Sequence, residues 1–191
     1  SSYIATGTYG FMNPTKDLYE AFVAMEGENG YRLNSSIRTA AQLENLGISL
    51  QAGANLVGHE GYFMWKNRAL KEDCVYDASY FQALQYINLR VMRYAEVLLL
   101  AAEAHVQNGN SGKALEYVNQ IRSRAQLNGL TSVTLDDVKK EKRLELCLES
   151  VRFQDLVRWG DAETVMANQG KEIPSYSSKE LNPNMVQNEN W

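Results

Sequence analysis

The sequence predicts a mainly α-helical fold: a helical hairpin and further packed helices, with irregular loops and a few short strands. Three observations carry this. Residues 91–160 show sustained helical apolar periodicity between clear stop and start signals. Residues 1–90 change character often, with Gly and Pro as punctuation. Residues 161–191 form a polar tail rich in Asn and Pro, which reads as an extended C-terminal arm. The chain has 191 residues, 45% of them hydrophobic, which suits one globular domain or a large piece of one.

The first element follows the loop "GTYGFMNP". "TKDLYEAFVAMEGENG" predicts a short helix, with Thr15 as cap, Leu18, Ala21, Phe22 and Met25 on one face, and Gly27 at the end. "NSSIRTAAQLENLGISLQAGANLVG" leaves helix and strand both open. "EGYFMWKN" predicts an aromatic strand bounded by Gly61 and Asn67, and the chain to about Asn88 reads as loop and short turns. A helix is predicted from about Leu89 to Asn108, stopped by Gly109. A second starts after Asn110 or Ser111 and runs to Asn128-Gly129. A third starts at Thr134, with Asp137 completing a capping box, and continues to Trp159 before Gly160.

The net charge of −4 and the lack of a Lys/Arg cluster exclude nucleic acid as the main partner. Cys74 and Cys147 form no CxxC pair, and His59 and His105 are not spaced to join them, so no metal site and no cofactor is expected. Both cysteines are expected as small core residues without a disulfide. "SSYIATGTYGF" has no Met, basic n-region, apolar h-region or lipid-attachment cysteine. It suits either a cytosolic chain or a piece whose targeting segment lies elsewhere.

The greasiest run, "RYAEVLLLAAEAHVQNG", holds two glutamates. Only six residues, Val97 to Ala102, pass without a charge, and a membrane span needs about 20. Glu103 and His105 diverge by about 200° on a helix and cannot share an ion. Glu96 is expected to pair with Arg93, three residues back, and both glutamates to sit at a bundle edge. The small residues Ala102 and Ala114 flank the turn at Gly109, with Leu98, His105, Val118 and Ile121 at the larger positions. This is the grammar of a tetratricopeptide helix pair, in which small residues permit close approach. One such repeat needs stacking neighbours, and no second copy occurs 34 residues away in this chain.

"EKRLELCLESVRFQDLVRWG" carries Glu141, Glu145 and Glu149 as an i, i+4, i+8 ladder, with Arg152, Asp155 and Arg158 beyond. Glu145, Glu149 and Asp155 each have an Arg or Lys three residues away. That favours a structural ion-pair network over acid–base catalysis, which draws its carboxylates from different elements around a cleft. No catalytic residue is assigned.

"RYAEVLLLAAEA", "EKRLELCLESVRFQDLVRWG" and the terminal "LNPNMVQNENW", in this order, resemble the SusD/RagB family of Bacteroidetes outer-membrane glycan-binding lipoproteins. "NPTKDLYEAF" and "GYFMWKN" look like that family's middle portion. The chain departs from the pattern at "ESVRF", where Ser150 and Val151 replace a small-turn pair and Phe153 replaces Trp. The resemblance implies a SusD-like fold and the C-terminal portion of a longer protein, with 1–90 as a loop-rich ligand side, 91–160 as helical core and 161–191 as the arm. It implies a non-catalytic protein, not an enzyme, that captures oligosaccharides or polysaccharides for nutrient uptake. It would deliver them to a SusC-like TonB-dependent transporter from the cell surface. Contact with the outer membrane would come only through an N-terminal lipid anchor absent from this chain. Sugar rings stack on aromatic faces, so Tyr3, Tyr9 and Phe11 in the first loop, Tyr31 in "NGYRLN" and Trp65 in the strand are the candidate ligand contacts. The alternative is a tetratricopeptide-type protein–protein adaptor centred on residues 93–126. A glycoside hydrolase would need paired carboxylates across a pocket.

Overall fold

The computed structural model describes residues 13–47, 60–68, 73–75 and 84–168. The chain divides into two compact units, each drawn from separated stretches of sequence. A helical unit takes Glu20–Ser36 and Asn88–Arg152; a hairpin unit takes Ser1–Tyr19, Ile37–Ile87 and Phe153–Trp191. Among the described residues no helix is long and apolar enough to cross a membrane.

Helix α1 (Lys16–Glu26) starts where the sequence predicts, with Thr15 Oγ1 accepting from the Leu18 amide at 3.3 Å. Phe22 on its apolar face is fully buried. The ambiguous stretch resolves into α2 (Tyr31–Ser36), the strand β1 (Ile37–Thr39) and α3 (Ala40–Asn45). Thr39 and Gln42 form a capping box that turns the strand into α3. β1 pairs antiparallel with β2 (Tyr62–Met64), with Ile37 opposite Met64, Arg38 opposite Phe63 and Thr39 opposite Tyr62. The loop predicted before Asn88 holds a second small ladder, β3 (Cys74–Val75) with β4 (Leu84–Gln85).

The hairpin of α4 (Tyr94–Gln107) and α5 (Ser111–Arg124) forms as predicted. Gly109 takes φ +74° at the turn, a conformation costly for residues with a Cβ. Asn110 caps α5 by accepting from the Lys113 amide. Ala102 and Ala114 are both fully buried and pack with Val118, Val133 and Val138. A second cluster joins Ala95, Leu98, Leu99 and Ile121. The small-residue grammar therefore does what it should: it lets two helices approach closely.

β2 is shorter than the strand expected between Gly61 and Asn67 and ends at Met64, so Trp65 lies just past it; three helix boundaries also differ from expectation. α4 begins at Tyr94, not Leu89; Arg93 is extended at its N-cap, and Leu89 and Val91 stay 88% and 84% exposed, so a longer helix would bury nothing there. α5 ends at Arg124 instead of Asn128-Gly129, and Gln126 turns the chain with φ +61°. α6 (Leu135–Glu145) keeps the predicted Thr134–Asp137 capping box but does not continue to Trp159. In a continuing helix the Glu145 carbonyl would accept from the Glu149 amide. Instead Arg93 Nη2 donates to that carbonyl, and the Glu149 amide donates to Leu146 O at 3.2 Å. Leu148 and Ser150 then take φ +63° each before α7 (Arg152–Trp159) resumes. The tail read as an extended arm from 161 begins with a helix, α8 (Ala162–Asn168). Its remainder, 169–191, lies outside the described residues.

Candidate functional site

The helical unit concentrates its charge in one buried network. α6 projects Glu141 and Glu145 from the same face, one turn apart, and the following turn supplies Glu149. Arg32, on α2, donates from Nη1 to Glu141 at 2.6 Å and Glu145 at 3.2 Å, and from Nε to Glu26 at 2.6 Å. Arg93 donates from Nε and Nη2 to Glu149 at 2.7 and 2.9 Å, and from Nη1 to Glu145 at 2.5 Å. Arg122 adds a bond to Glu141 at 3.1 Å, and Arg124 pairs with Glu145. Burial alone would lower the Arg32 pKa, but Glu141 and Glu26 outweigh it and hold it above the ordinary arginine value. Arg93 behaves the same way: burial opposes its charge, and hydrogen bonds to Glu149 and Glu145 prevail.

This is the expected structural network, with different partners. The cations come chiefly from other elements, not from three or four residues along the same helix. Arg93 reaches across to α6 instead of pairing with Glu96. Glu103 is buried within α4, not at a bundle edge, and accepts from Gln107 at 3.4 Å. A within-helix pair does occur at Arg158–Asp155, 3.0 Å. These carboxylates are covered by guanidinium donors and shielded from substrate, so the network serves as a frame. Sequence reasoning missed Arg32. Its only signal is indirect: three glutamates on one helical stripe need cations from somewhere.

The network also holds an aromatic. Arg32 fixes α2, and its neighbour Tyr31 faces solvent at 55% exposure. Glu26 reinforces the same short helix by accepting from the Leu33 amide at 3.0 Å. A six-residue helix has little stability of its own; the ion pairs supply it.

The hairpin unit carries the second group. Strand alternation puts Arg38 and Phe63 on one face of the β1–β2 ladder and Ile37, Tyr62 and Met64 on the other, and Trp65 follows directly after β2 beside Arg38. On the second face Tyr62 stacks with Tyr19 at 4.4 Å between centroids and 25° between planes. The guanidinium carbons of Arg68 and Arg38 lie 3.9 and 5.4 Å from the Trp65 ring centroid. Trp65 itself is 8% exposed, so its ring is mostly covered, and Trp65→Ala would cost stability as well as any contact.

Of the residues chosen from sequence, Tyr31 is exposed in the helical unit and Trp65 is buried in the hairpin unit. Tyr3, Tyr9 and Phe11 lie outside the described residues. Cys147 is buried, and the side chain of Cys74 lies outside the described set. Among the described residues no group of His, Cys, Asp and Glu could hold a metal ion.

A family profile described as the SusD family matches residues 18–190. A SusD-like protein of Bacteroides ovatus is 37% identical over 76 residues, covering 38% of this chain and 14% of that protein. Surface glycan-binding protein A of Bacteroides uniformis superposes with a TM-score of 0.65 at 29% identity, over 84% of this chain and 34% of its own. Surface glycan-binding protein A of Bacteroides thetaiotaomicron, solved in complex with laminarihexaose, gives 0.67 at 27% identity, over 94% and 40%. The chain thus has the fold of these proteins and spans well under half of their length.

Proposed function

The chain belongs to the SusD family, and from that premise we propose that it is part of a non-catalytic surface glycan-binding protein. The observation that carries this is the superposition, over 94% of the chain, on a protein solved with laminarihexaose. The chemistry agrees: the clustered carboxylates of the helical unit are engaged as ion pairs, while aromatic side chains sit on firmly held elements. Tyr31, anchored through Arg32, and the Tyr19–Tyr62 stack offer apolar faces for sugar rings. Tyr3, Tyr9, Phe11 and Trp65 remain in the proposed contact set. In the whole protein the ligand would pass to a TonB-dependent transporter, with the protein held at the outer-membrane surface by a lipid anchor.

Affinity electrophoresis of this chain across a polysaccharide panel, with a reducing-sugar assay on the same mixtures, tests the reading. Retardation without release of reducing ends is expected. Turnover would replace it with a hydrolase. Co-purification of the transporter with the full-length protein from native membranes tests delivery, and protease accessibility on intact cells tests location. One observation favours the adaptor alternative: Leu89, Val91, Met92, Tyr94 and Val97 stay exposed at the start of the α4–α5 hairpin. Capture of a protein through that face by a chain that retards on no glycan would establish it.

A further inference from the structure

We infer that Arg68, with Arg38 beside the same tryptophan ring, is a binding point for an oxyanion carried on a glycan: the carboxylate of a uronate or a sulfate ester. This deepens the glycan-binding reading and rests on it. Arg68 lies close over Trp65, its guanidinium carbon 3.9 Å from the ring centroid. A guanidinium resting on an aromatic face keeps its N–H donors for partners around its edge, where a carboxylate or sulfate fits as a fork. One donor is used internally, Nη1 to the Trp65 carbonyl at 3.0 Å. Nε is buried with no hydrogen-bond partner. Among the described residues no carboxylate lies within ion-pair distance of Arg68, and the charge that acts on it is a like one. Burial first, and then Arg38, push its pKa below the ordinary arginine value.

A half-covered cation repelled by its neighbour is an unfavourable arrangement in a folded chain. The helical unit shows how this chain otherwise treats such a group: it brings carboxylates to it. At Arg68 the described chain brings a tryptophan and a second arginine. The hairpin brings these groups together: Arg38 stands opposite Phe63 in the β1–β2 ladder, Trp65 follows directly after β2, and the Arg38 guanidinium carbon lies 5.4 Å from its ring centroid. An anionic group on a sugar would supply the missing charge at Arg68. A neutral glucan would leave the Arg68 guanidinium without a counter-charge, so an acidic glycan is the preferred class.

The test is calorimetric titration of this chain at low salt with oligogalacturonate, its methyl ester, a sulfated galactan oligosaccharide, laminarihexaose and free galacturonate. The acidic oligosaccharides are expected to bind, with the methyl ester weaker by about tenfold or more, the loss of one charge-assisted contact. Arg68→Met should erase the difference and Arg68→Lys keep part of it, with thermal melts confirming that both variants fold. Binding of oligogalacturonate alone, or of the sulfated ligand alone, identifies which oxyanion is taken. Equal binding of oligogalacturonate and its methyl ester, or a preference that survives Arg68→Met, overturns the inference and leaves glycan binding standing. Arg68-dependent binding of free galacturonate without any oligosaccharide keeps the oxyanion site and removes the glycan reading. No binding of any probe removes both.

Discussion

In the helical unit Arg32, Arg93, Arg122 and Arg124 each meet a carboxylate, whereas in the hairpin unit Arg38 and Arg68 gather at the face of Trp65. The two regions spend the same side chain differently. Where a guanidinium is enclosed by glutamates, its charge is satisfied within the fold and it orders helices. Arg68 rests on an aromatic ring beside a like charge, and beyond its own bond to the Trp65 carbonyl the described residues bring it no carboxylate. The difference teaches that clustered charge marks a frame or a site according to whether the chain itself completes the balance.

The largest expected effect breaks the first half of that comparison. Arg32→Met strips Glu26, Glu141 and Glu145 of a shared buried cation and should cost about 3–5 kcal/mol in urea unfolding. A loss under about 1 kcal/mol would mean that the network does not hold the helical unit. Next comes Thr134→Ala, at about 1 kcal/mol for a lost N-cap. It also has a pH signature. The Thr134 hydroxyl, before any other cause, holds the Asp137 carboxyl below the ordinary aspartate range. The folded pKa is depressed, so this stability is fully present above the unfolded value of about 3.9 and is lost as pH falls through the folded one. Melting temperatures followed from pH 7 to pH 2.5 should fall less steeply at the acid end in the variant. An unchanged acid limb would show that Asp137 owes nothing to the cap. Arg32 and Arg93 have raised pKa values, so their contribution is present below the ordinary arginine value and lost only at extreme alkaline pH.

Ser150→Gly separates backbone from charge. Ser150 sits at φ +63° in the turn after α6, a region that favours glycine. The substitution should gain roughly 0.5–1 kcal/mol, somewhat offset by the freer unfolded chain; a loss would show that its side chain does more than tolerate the turn. The smallest effect sharpens the second half of the comparison. Arg68→Met should change stability by no more than about 0.5 kcal/mol, because lost contact with Trp65 is offset by relief from Arg38. A loss of several kcal/mol would make Arg68 a structural residue like Arg32.

Local signals in the sequence suffice where the chemistry is local. Thr15, Asn110 and the Thr134–Asp137 pair cap their helices through bonds spanning three residues. Ala102 and Ala114 lie where close helix approach needs small side chains. The stripe of Glu141, Glu145 and Glu149 declared an ion-pair network. Its partners were not legible, because Arg32 reaches Glu141 across 109 residues of sequence and no spacing rule spans that distance. Trp65 was visible as an aromatic of the β2 stretch, but not the arginines that cover it, since β1 is only three residues long and sits in an ambiguous stretch.

By itself, then, the sequence determined the helical class, the hairpin, the caps and the family, all of which rest on short-range patterns that survive in one dimension. The tertiary structure decided where α6 stops, because a guanidinium from Arg93 takes the carbonyl that the next turn would have used. It also decided which arginines are neutralised. Coulomb and desolvation terms depend on distance and burial in space, and the chain reveals these only once its separated segments are brought together.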